Sequence, residues 1–285
     1  MSSLNLRSLS RAVFAVLLFA GLQTVQASDP DPAVMTFKLP DQITWTGRAG
    51  GPQTATVQGE PNKDGSLYVQ FLKWPKGTGS KPHNHPTDRF IYVISGTWYK
   101  GAGKEYKPET MVPVPAGSFV RDIANEFHYD EARDEETIIE MVGIGPASLP
   151  RDAAPPPARE PGPKSSDITL AKDVKWTGSA GGPQNATLWG DPNKEGLYIV
   201  LTKWTPGRMS RPHFHQNDRF IHVLSGTWWV GWGPKYDPDS TYAMPAGSFV
   251  RHIGKQIHYD GAKTGEALLE IVGMGPAGST NAEQK

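Results

Sequence analysis

Histidine is the residue type in this chain best suited to chemistry, and most of the eight histidines fall into two sets with the same pattern. In each set, two histidines are separated by one residue and a third lies farther along the chain. The sets are His83, His85 and His128, and His213, His215 and His258. Residues i and i+2 of a strand project from the same face, so each His-x-His pair can present two imidazoles together. Neutral imidazoles bind divalent first-row metals such as Fe, Mn, Ni, Cu and Zn, so the pattern predicts one metal ion per set.

Two histidines do not belong to these sets. His222 stands where the first half of the chain has Tyr92, and His252 stands where it has Asp122. A single histidine is more often a core or surface residue than a metal ligand. We therefore expect His222 and His252 to be structural or exposed, and the predicted metal sites to contain three histidines each.

The histidine sets recur because most of the chain repeats. Residues 88–91 (DRFI) return as 218–221, and residues 115–121 (PAGSFVR) return as 245–251. A repeat of this length predicts two duplicated domains, over residues 35–147 and 167–277. The proline-rich stretch 148–166 between them is typical of a stiff linker. Residues 278–285 are expected to form a frayed tail.

Strand-forming segments and frequent turns indicate the fold class. Residues 67–72, 90–94 and 137–142 are rich in β-branched and aromatic residues, while 31 glycines and 26 prolines interrupt the chain. No long helical period is visible after the first residues. Short strands separated by turns are typical of an all-β sandwich or barrel.

Charge and cysteine content exclude several kinds of partner and site. Lys+Arg and Asp+Glu balance at 29 each, which argues against nucleic-acid binding or a polybasic membrane role. There is no cysteine, so disulfides and thiolate ligands are excluded.

The first residues predict a secretory signal over residues 1–27. They contain Arg7 and Arg11, the apolar run 12–22 and a small-x-small sequence ending at Ala27. The alternatives are an uncleaved anchor or a disordered tail. We expect a periplasmic or secreted protein without membrane contact after cleavage.

The sequence around the histidines resembles the cupin family. Pro-His-x-His followed by Asp-Arg-Phe-Ile-x-Val-x-Ser-Gly-Thr-Trp is similar to the first cupin motif, and the segments ending in His128 and His258 are similar to the second. The resemblance covers nearly all of both repeats. It implies a bicupin with two tandem jelly-roll β-barrels and a metal in the lumen of each.

One departure from the cupin pattern concerns arginine. Arg89 and Arg219 stand where the family has a glutamate ligand, and a protonated guanidinium cannot ligate a metal. Glu140 and Glu270 also repeat, and each interrupts an apolar strand. Each glutamate could bind the metal or pair with the arginine. Alternatively, the arginines could hold the carboxylate of a substrate in a bidentate fork. Both pairs are therefore candidate catalytic residues.

These features favour a metal-dependent enzyme, because three histidines leave coordination positions open. The first expectation is a dioxygenase-like oxidoreductase that acts on a small organic acid or phenolic compound, followed by a lyase, decarboxylase or isomerase. The competing class is a non-catalytic protein that binds a small ligand or a metal. Trp229 and Trp232 occur only in the second repeat, where they could line a mouth for an aromatic ligand or pack between barrels. The sequence does not determine the oligomeric state, and a homo-oligomer is possible.

Overall fold

A computed structural model describes residues 30–148, 165–178 and 181–284. The expected secretory signal over 1–27 and nearly all of the expected linker lie outside the described residues.

The first repeat contributes eleven strands. They are β1 Met35–Lys38, β2 Thr46–Gly47, β3 Gln53–Gln58, β4 Leu67–Trp74, β5 Thr78–Gly79, β6 Arg89–Ser95, β7 Thr97–Ala102, β8 Val112–Pro115, β9 Phe119–Asp122, β10 His128–Ala132 and β11 Thr137–Ile144. Single 3₁₀ turns occupy Pro40–Gln42 and Pro108–Thr110.

The second repeat contributes twelve strands. They are β12 Ser166–Thr169, β13 Gln184–Trp189, β14 Gly196–Trp204, β15 Arg208–Met209, β16 His213–His215, β17 Arg219–Ser225, β18 Thr227–Trp232, β19 Tyr242–Pro245, β20 Phe249–His252, β21 His258–Ala262, β22 Ala267–Gly275 and β23 Ser279–Asn281. Its 3₁₀ turns are Ala171–Asp173 and Pro238–Ser240. Within the described parts of the chain, no helix has the length and apolar character needed to cross a membrane.

The strands form two barrels, each made of a larger and a smaller antiparallel sheet. In barrel 1 the larger sheet has the order β12-β9-β6-β11-β4-β3-β2 and the smaller sheet β5-β10-β7-β8. In barrel 2 the orders are β1-β20-β17-β22-β14-β13 and β19-β18-β21-β16-β23, with β15 also paired to β21. The predicted all-β fold with two tandem barrels is confirmed.

The barrels exchange their first strands. Strand β1 opens the first repeat but pairs with β20 of the second, with Met35 opposite His252. Strand β12 opens the second repeat but pairs with β9 of the first, with Ser166 opposite Asp122. Each barrel wall is therefore completed by a strand from the other repeat.

Apolar side chains fill three layers. One face of each larger sheet lines its own barrel lumen, where Val93 and Trp98 are buried in barrel 1 and Val223 and Trp228 in barrel 2. The other faces of the larger sheets pack against each other, and this layer mixes residues of both repeats. Because both faces of these sheets are buried, their strands are apolar on both sides rather than alternating.

The end of the chain differs from the expected frayed tail. Strand β23 pairs with β16, and Asn281 lies opposite His213 while Ser279 lies opposite His215. The amide of Ala282 donates to the carbonyl of Pro212 over 2.9 Å. The prediction missed this strand because 279–281 is polar and carries no strand pattern of its own.

Candidate metal centres

Barrel 1 brings its three predicted histidines together. His83 and His128 face each other across a β-bridge, and the ring centroid of His85 lies 4.8 Å from that of His83 and 5.1 Å from that of His128. One nitrogen from each ring lies within 4.8 Å of the others. Strand β10 and the loop between β5 and β6 thus deliver three imidazoles to one place in the lumen.

Barrel 2 repeats this geometry. The ring centroid of His213 lies 4.9 Å from that of His215 and 4.6 Å from that of His258. The Nε2 atoms of His213 and His215 are 3.2 Å apart. Again one nitrogen from each of the three rings lies within 4.8 Å of the others.

Backbone carbonyls fix which ring nitrogen faces the lumen. The Nδ1 atoms of His83 and His213 lie 2.7 and 2.8 Å from carbonyls two residues earlier, and His128 and His258 show the same contact at 3.2 and 3.1 Å. His215 Nδ1 lies 3.3 Å from two carbonyls of the final segment. A carbonyl can only accept, so Nδ1 carries the proton and Nε2 faces the lumen with its lone pair. Such second contacts are typical of histidines that bind metals.

Burial lowers the pKa of four of the lumen histidines, His85, His128, His215 and His258. Burial, followed by the nearby Arg219, lowers the pKa of His215 to about 3. Burial followed by Lys100 lowers the pKa of His128 to about 4, and burial also lowers that of His85. The Nε2 atoms of His128 and His258 are buried without a hydrogen-bond partner. Three converging imidazoles, one of them with a buried and partnerless Nε2, fit a divalent first-row metal in each barrel.

The arginines lie where strand alternation places them, in the lumen walls. Arg89 is the cross-strand partner of Asp122, and Arg219 that of His252. Arg89 Nη2 donates to the carbonyl of Ala147 over 2.7 Å. Arg219 Nη1 contacts Nε2 of His215 instead. The Nε atoms of both arginines are buried without partners.

The alternative that pairs the arginines with Glu140 and Glu270 is wrong. Along β11, Ile139 and Met141 belong to the barrel 1 core, so Glu140 projects from the opposite face, between the barrels. There its Oε2 lies 2.6 Å from Nδ1 of His222 of the other repeat. The two glutamates therefore lie on the wrong side of the sheet to bind the metal or to reach the lumen arginines.

A buried acidic cluster results between the barrels. Glu140, Glu270 and His222 are 1%, 1% and 3% exposed. Tyr92 is the cross-strand partner of Glu140, and His222 that of Glu270. Burial raises the pKa of Glu140 to about 8, while burial and then Glu140 raise the pKa of Glu270. Burial lowers the pKa of His222 to about 4. His222 is thus structural as expected, but it is a core residue rather than an exposed one.

Barrel 1 holds a second charged group beside its histidines. Lys100 is 2% exposed and its Nζ lies 2.8 Å from Oδ1 of Asp122, with a further contact to Asp130. Burial would lower the pKa of Lys100, but the two carboxylates outweigh it and the pKa is raised. Asp122 also accepts from Ser166 Oγ over 2.7 Å, and its Oδ2 lies 3.5 Å from Nε2 of His128. Sequence reasoning missed this ion-paired group.

Three positions of this group differ in barrel 2. Val230 replaces Lys100, Met35 stands in the place of Ser166, and His252 replaces Asp122. Asp260 is retained and accepts from Ser210 Oγ over 2.7 Å and from Trp228 Nε1 over 3.1 Å.

The barrels also differ in the space beside the histidines. Barrel 1 leaves a cavity of about 50 Å³ that contacts all three histidines and Arg89. Barrel 2 opens into a cavity of about 370 Å³ whose wall includes His213, Arg219, Asp260 and Trp204. Trp229, which the sequence analysis considered for the mouth, has the ammonium of Lys263 4.1 Å above its ring.

Comparison with known proteins gives matches at the level of structure. No protein-family model and no curated protein matches the sequence. An oxalate decarboxylase of Bacillus subtilis aligns with a TM-score of 0.59 and 12% identity over 86% of this chain and 78% of that chain. The oxalate decarboxylase of Lactobacillus farciminis, in a formate complex, aligns with a TM-score of 0.58 and 15% identity over 86% and 88%. Hazelnut (Corylus avellana) vicilin aligns with a TM-score of 0.57 and 11% identity over 86% of each chain.

These matched proteins are bicupins, and the alignments extend across both barrels described above. The chain folds as a bicupin. Identities this low show the shared fold alone, so the function of this chain has to be inferred from its own lumen residues.

Proposed function

We propose that this bicupin is a metal-dependent enzyme that acts on a small carboxylate, with barrel 2 as the catalytic barrel. The observation that carries the proposal is the placement of Arg219 beside the three histidines, at the wall of the larger cavity. Its guanidinium contacts a histidine ring and its Nε has no partner. A planar donor fork with free N–H groups suits a carboxylate, which it can hold through two parallel hydrogen bonds.

The difference between the lumens supports barrel 2. Arg89 is held by the carbonyl of Ala147, and the buried Lys100 pairs with Asp122 at the position where barrel 2 has Val230. A cavity of about 50 Å³ holds little more than a water molecule or two, whereas about 370 Å³ accommodates a small organic acid. We assign barrel 1 a metal-binding role without an organic substrate.

Decarboxylation is the reaction that we propose, and the matched oxalate decarboxylases support it. The Bacillus subtilis protein is described with Mn(II) centres. A divalent metal held by three imidazoles supplies Lewis-acid stabilisation of the charge that develops on the substrate. Arg219 holds the carboxylate, the bond between that carboxylate and its neighbouring carbon breaks, and carbon dioxide leaves. The electron pair left on the carbon takes a proton that enters from solvent through the open cavity.

The experiment uses protein purified from its own compartment, with its metal content measured, and a panel of small mono- and dicarboxylates. We expect release of carbon dioxide without uptake of oxygen. Arg219→Leu should lower kcat/KM at least tenfold. Arg251→Leu is the matched control, because Arg251 pairs with Asp218 outside the lumen and should leave kcat/KM unchanged.

Other outcomes point to the other functions that the sequence allows. Oxygen uptake in step with substrate loss would favour the dioxygenase reaction. Carboxylate binding without turnover of any substrate would favour a binding protein. Neither outcome agrees with the proposed decarboxylation. Export also stays a proposal, supported by the leader-like sequence of residues 1–27.

A further inference from the structure

We propose that His252 contacts the substrate in barrel 2 and, together with Arg219, selects carboxylates that carry a second oxygen on the neighbouring carbon. This class includes 2-oxo acids, 2-hydroxy acids and oxalate. The inference rests on the proposed function of barrel 2 and names the substrate class of that site.

The first observation is the isolation of the His252 ring. The residue is 2% exposed, and both ring nitrogens are buried without a hydrogen-bond partner. Buried polar side chains in native proteins nearly always have a partner, and leaving one unsatisfied costs about 1–3 kcal/mol. An imidazole kept at such a position indicates that its partner is a bound molecule.

The second observation is the comparison with barrel 1, where the equivalent residue is fully satisfied. Asp122 receives hydrogen bonds from Ser166 and Lys100. In barrel 2 both donors are replaced by apolar side chains, those of Met35 and Val230. The position itself nevertheless stays polar. A substitution made only for stability would have placed an apolar residue there too, because an apolar core needs no partner.

The third observation is the position of His252 beside the predicted metal ligands. Its ring centroid lies 3.9 Å from that of His258. It is not one of the three rings whose nitrogens converge within 4.8 Å. His252 thus lies against the convergent set without belonging to it. It is not among the residues that line the cavity of about 370 Å³, so a substrate has to reach past His213 and Arg219 to contact it.

The fourth observation relates His252 to Arg219, its cross-strand partner on the same face of the sheet. Side chains in such pairs are close enough to bind one small molecule together. The guanidinium only donates hydrogen bonds, whereas a neutral imidazole donates from one nitrogen and accepts at the other. Arg219 therefore suits the carboxylate, and His252 suits a neighbouring carbonyl or hydroxyl oxygen.

The test measures binding of pyruvate and propionate to the full-length, Co²⁺-loaded protein, with visible absorption as the signal. The two acids have the same carbon chain, and only pyruvate carries the 2-oxygen. We expect wild-type protein to bind pyruvate about tenfold more tightly than propionate, a typical value for one buried hydrogen bond. His252→Leu should remove this preference while the affinities for propionate and for Co²⁺ stay unchanged. Met35→Leu, next to His252 on the sheet, is the control and should keep the preference.

A stability measurement separates contact with substrate from a structural role. Metal-free His252→Leu should unfold at the same temperature as wild type or higher, because a buried partnerless imidazole has been removed. A lower unfolding temperature would overturn the proposal, as would a parallel loss of Co²⁺ affinity or an unchanged preference for pyruvate. If wild-type protein binds neither acid, the proposed function itself fails. If wild type prefers pyruvate and His252→Leu does too, only the role of His252 fails.

Discussion

Replacing Glu140 by glutamine is expected to remove the part of the pH dependence of unfolding that this residue contributes. Glu140, Glu270 and His222 are buried between the barrels, with Tyr92 beside them. Two adjacent buried carboxyl groups do not both ionise, since their charges repel and water is excluded. Glutamine keeps the size of Glu140 and can still hydrogen-bond His222, but it has no proton to lose.

The magnitude follows from the pKa of Glu140, which burial raises from 4.5 to about 8. Between these values the unfolded chain releases the proton while the folded protein keeps it, so stability falls as pH rises. Each pH unit in this window is worth about 1.4 kcal/mol, which gives an upper value of roughly 5 kcal/mol. The pKa of His222 is lowered from 6.5 to about 4, so its contribution is lost as pH falls through that window. The cluster is therefore expected to stabilise the protein most between about pH 4.5 and 6.5.

Urea denaturation of metal-free protein, followed by tryptophan fluorescence at several values between pH 5 and pH 9, measures the effect. Relative to wild type, Glu140→Gln should gain several kcal/mol of stability between pH 5 and pH 9. Glu136→Gln removes an exposed carboxylate and serves as the control. The reasoning is refuted if the difference between Glu140→Gln and wild type varies by less than about 1 kcal/mol over this range.

Three further predictions concern the lumens and the leader. His83→Ala combined with His213→Ala should lower bound metal, measured by elemental analysis, and should lower the thermal midpoint of holo protein, because metal binding stabilises the folded state; unchanged metal content would contradict the histidine assignment. Lys100→Met should lower the free energy of unfolding at pH 7 by about 3–5 kcal/mol, since Asp122 and Asp130 would stay buried without their cation; urea denaturation checks this, and a loss below about 1 kcal/mol would show that the ion pair matters little. N-terminal sequencing of exported protein should begin near Ser28, and recovery of Met1 would contradict cleavage.

The histidine sets and the lumen arginines could be predicted from the sequence because both follow from strand alternation and repetition. His83 and His85 share a face by spacing alone, and the repeat identified their third partner. Arg89 was placed near the metal by the resemblance to the cupin motif, because it stands where the family has a glutamate ligand. The histidine inference needed local geometry and the comparison of two similar halves, and the arginine inference also needed the family resemblance.

The faces of Glu140 and His252 could not be assigned in the same way. Both sides of β11 are buried, so alternation separated Ile139 from Glu140 without showing which side was the lumen. One signal in the sequence could have shown the face of Glu140. Tyr92 and His222 occupy equivalent positions in the two repeats, and both are polar residues within an otherwise apolar stretch. His252 was set aside because it does not repeat, although Val250 lies two residues before it on the same face and is buried in the barrel 2 core. The replacement of Asp122 by His252 is a difference between the repeats, and this difference is the evidence for a function of His252. A search limited to residues that both repeats share does not find it.

The exchange of β1 and β12 has a consequence for how the chain folds during synthesis. Strand β12 emerges soon after the first repeat, so barrel 1 can close while the second repeat is still being made. Strand β1 is made first but must wait for β20, near the other end of the chain. An unpaired edge strand is a template for pairing with another chain, so this waiting period favours misassembly between neighbouring nascent chains.

The same exchange constrains the ancestor of the duplicated chain. If a protein of one repeat kept this pairing, its first strand would leave the strand equivalent to β9 or β20 uncovered, and two copies that swap their first strands would supply it to each other. Joining two such copies end to end converts a concentration-dependent dimer into a single molecule whose closure no longer depends on finding a partner. Once joined, the two halves are free to diverge in their lumens while each still holds the other's wall in place.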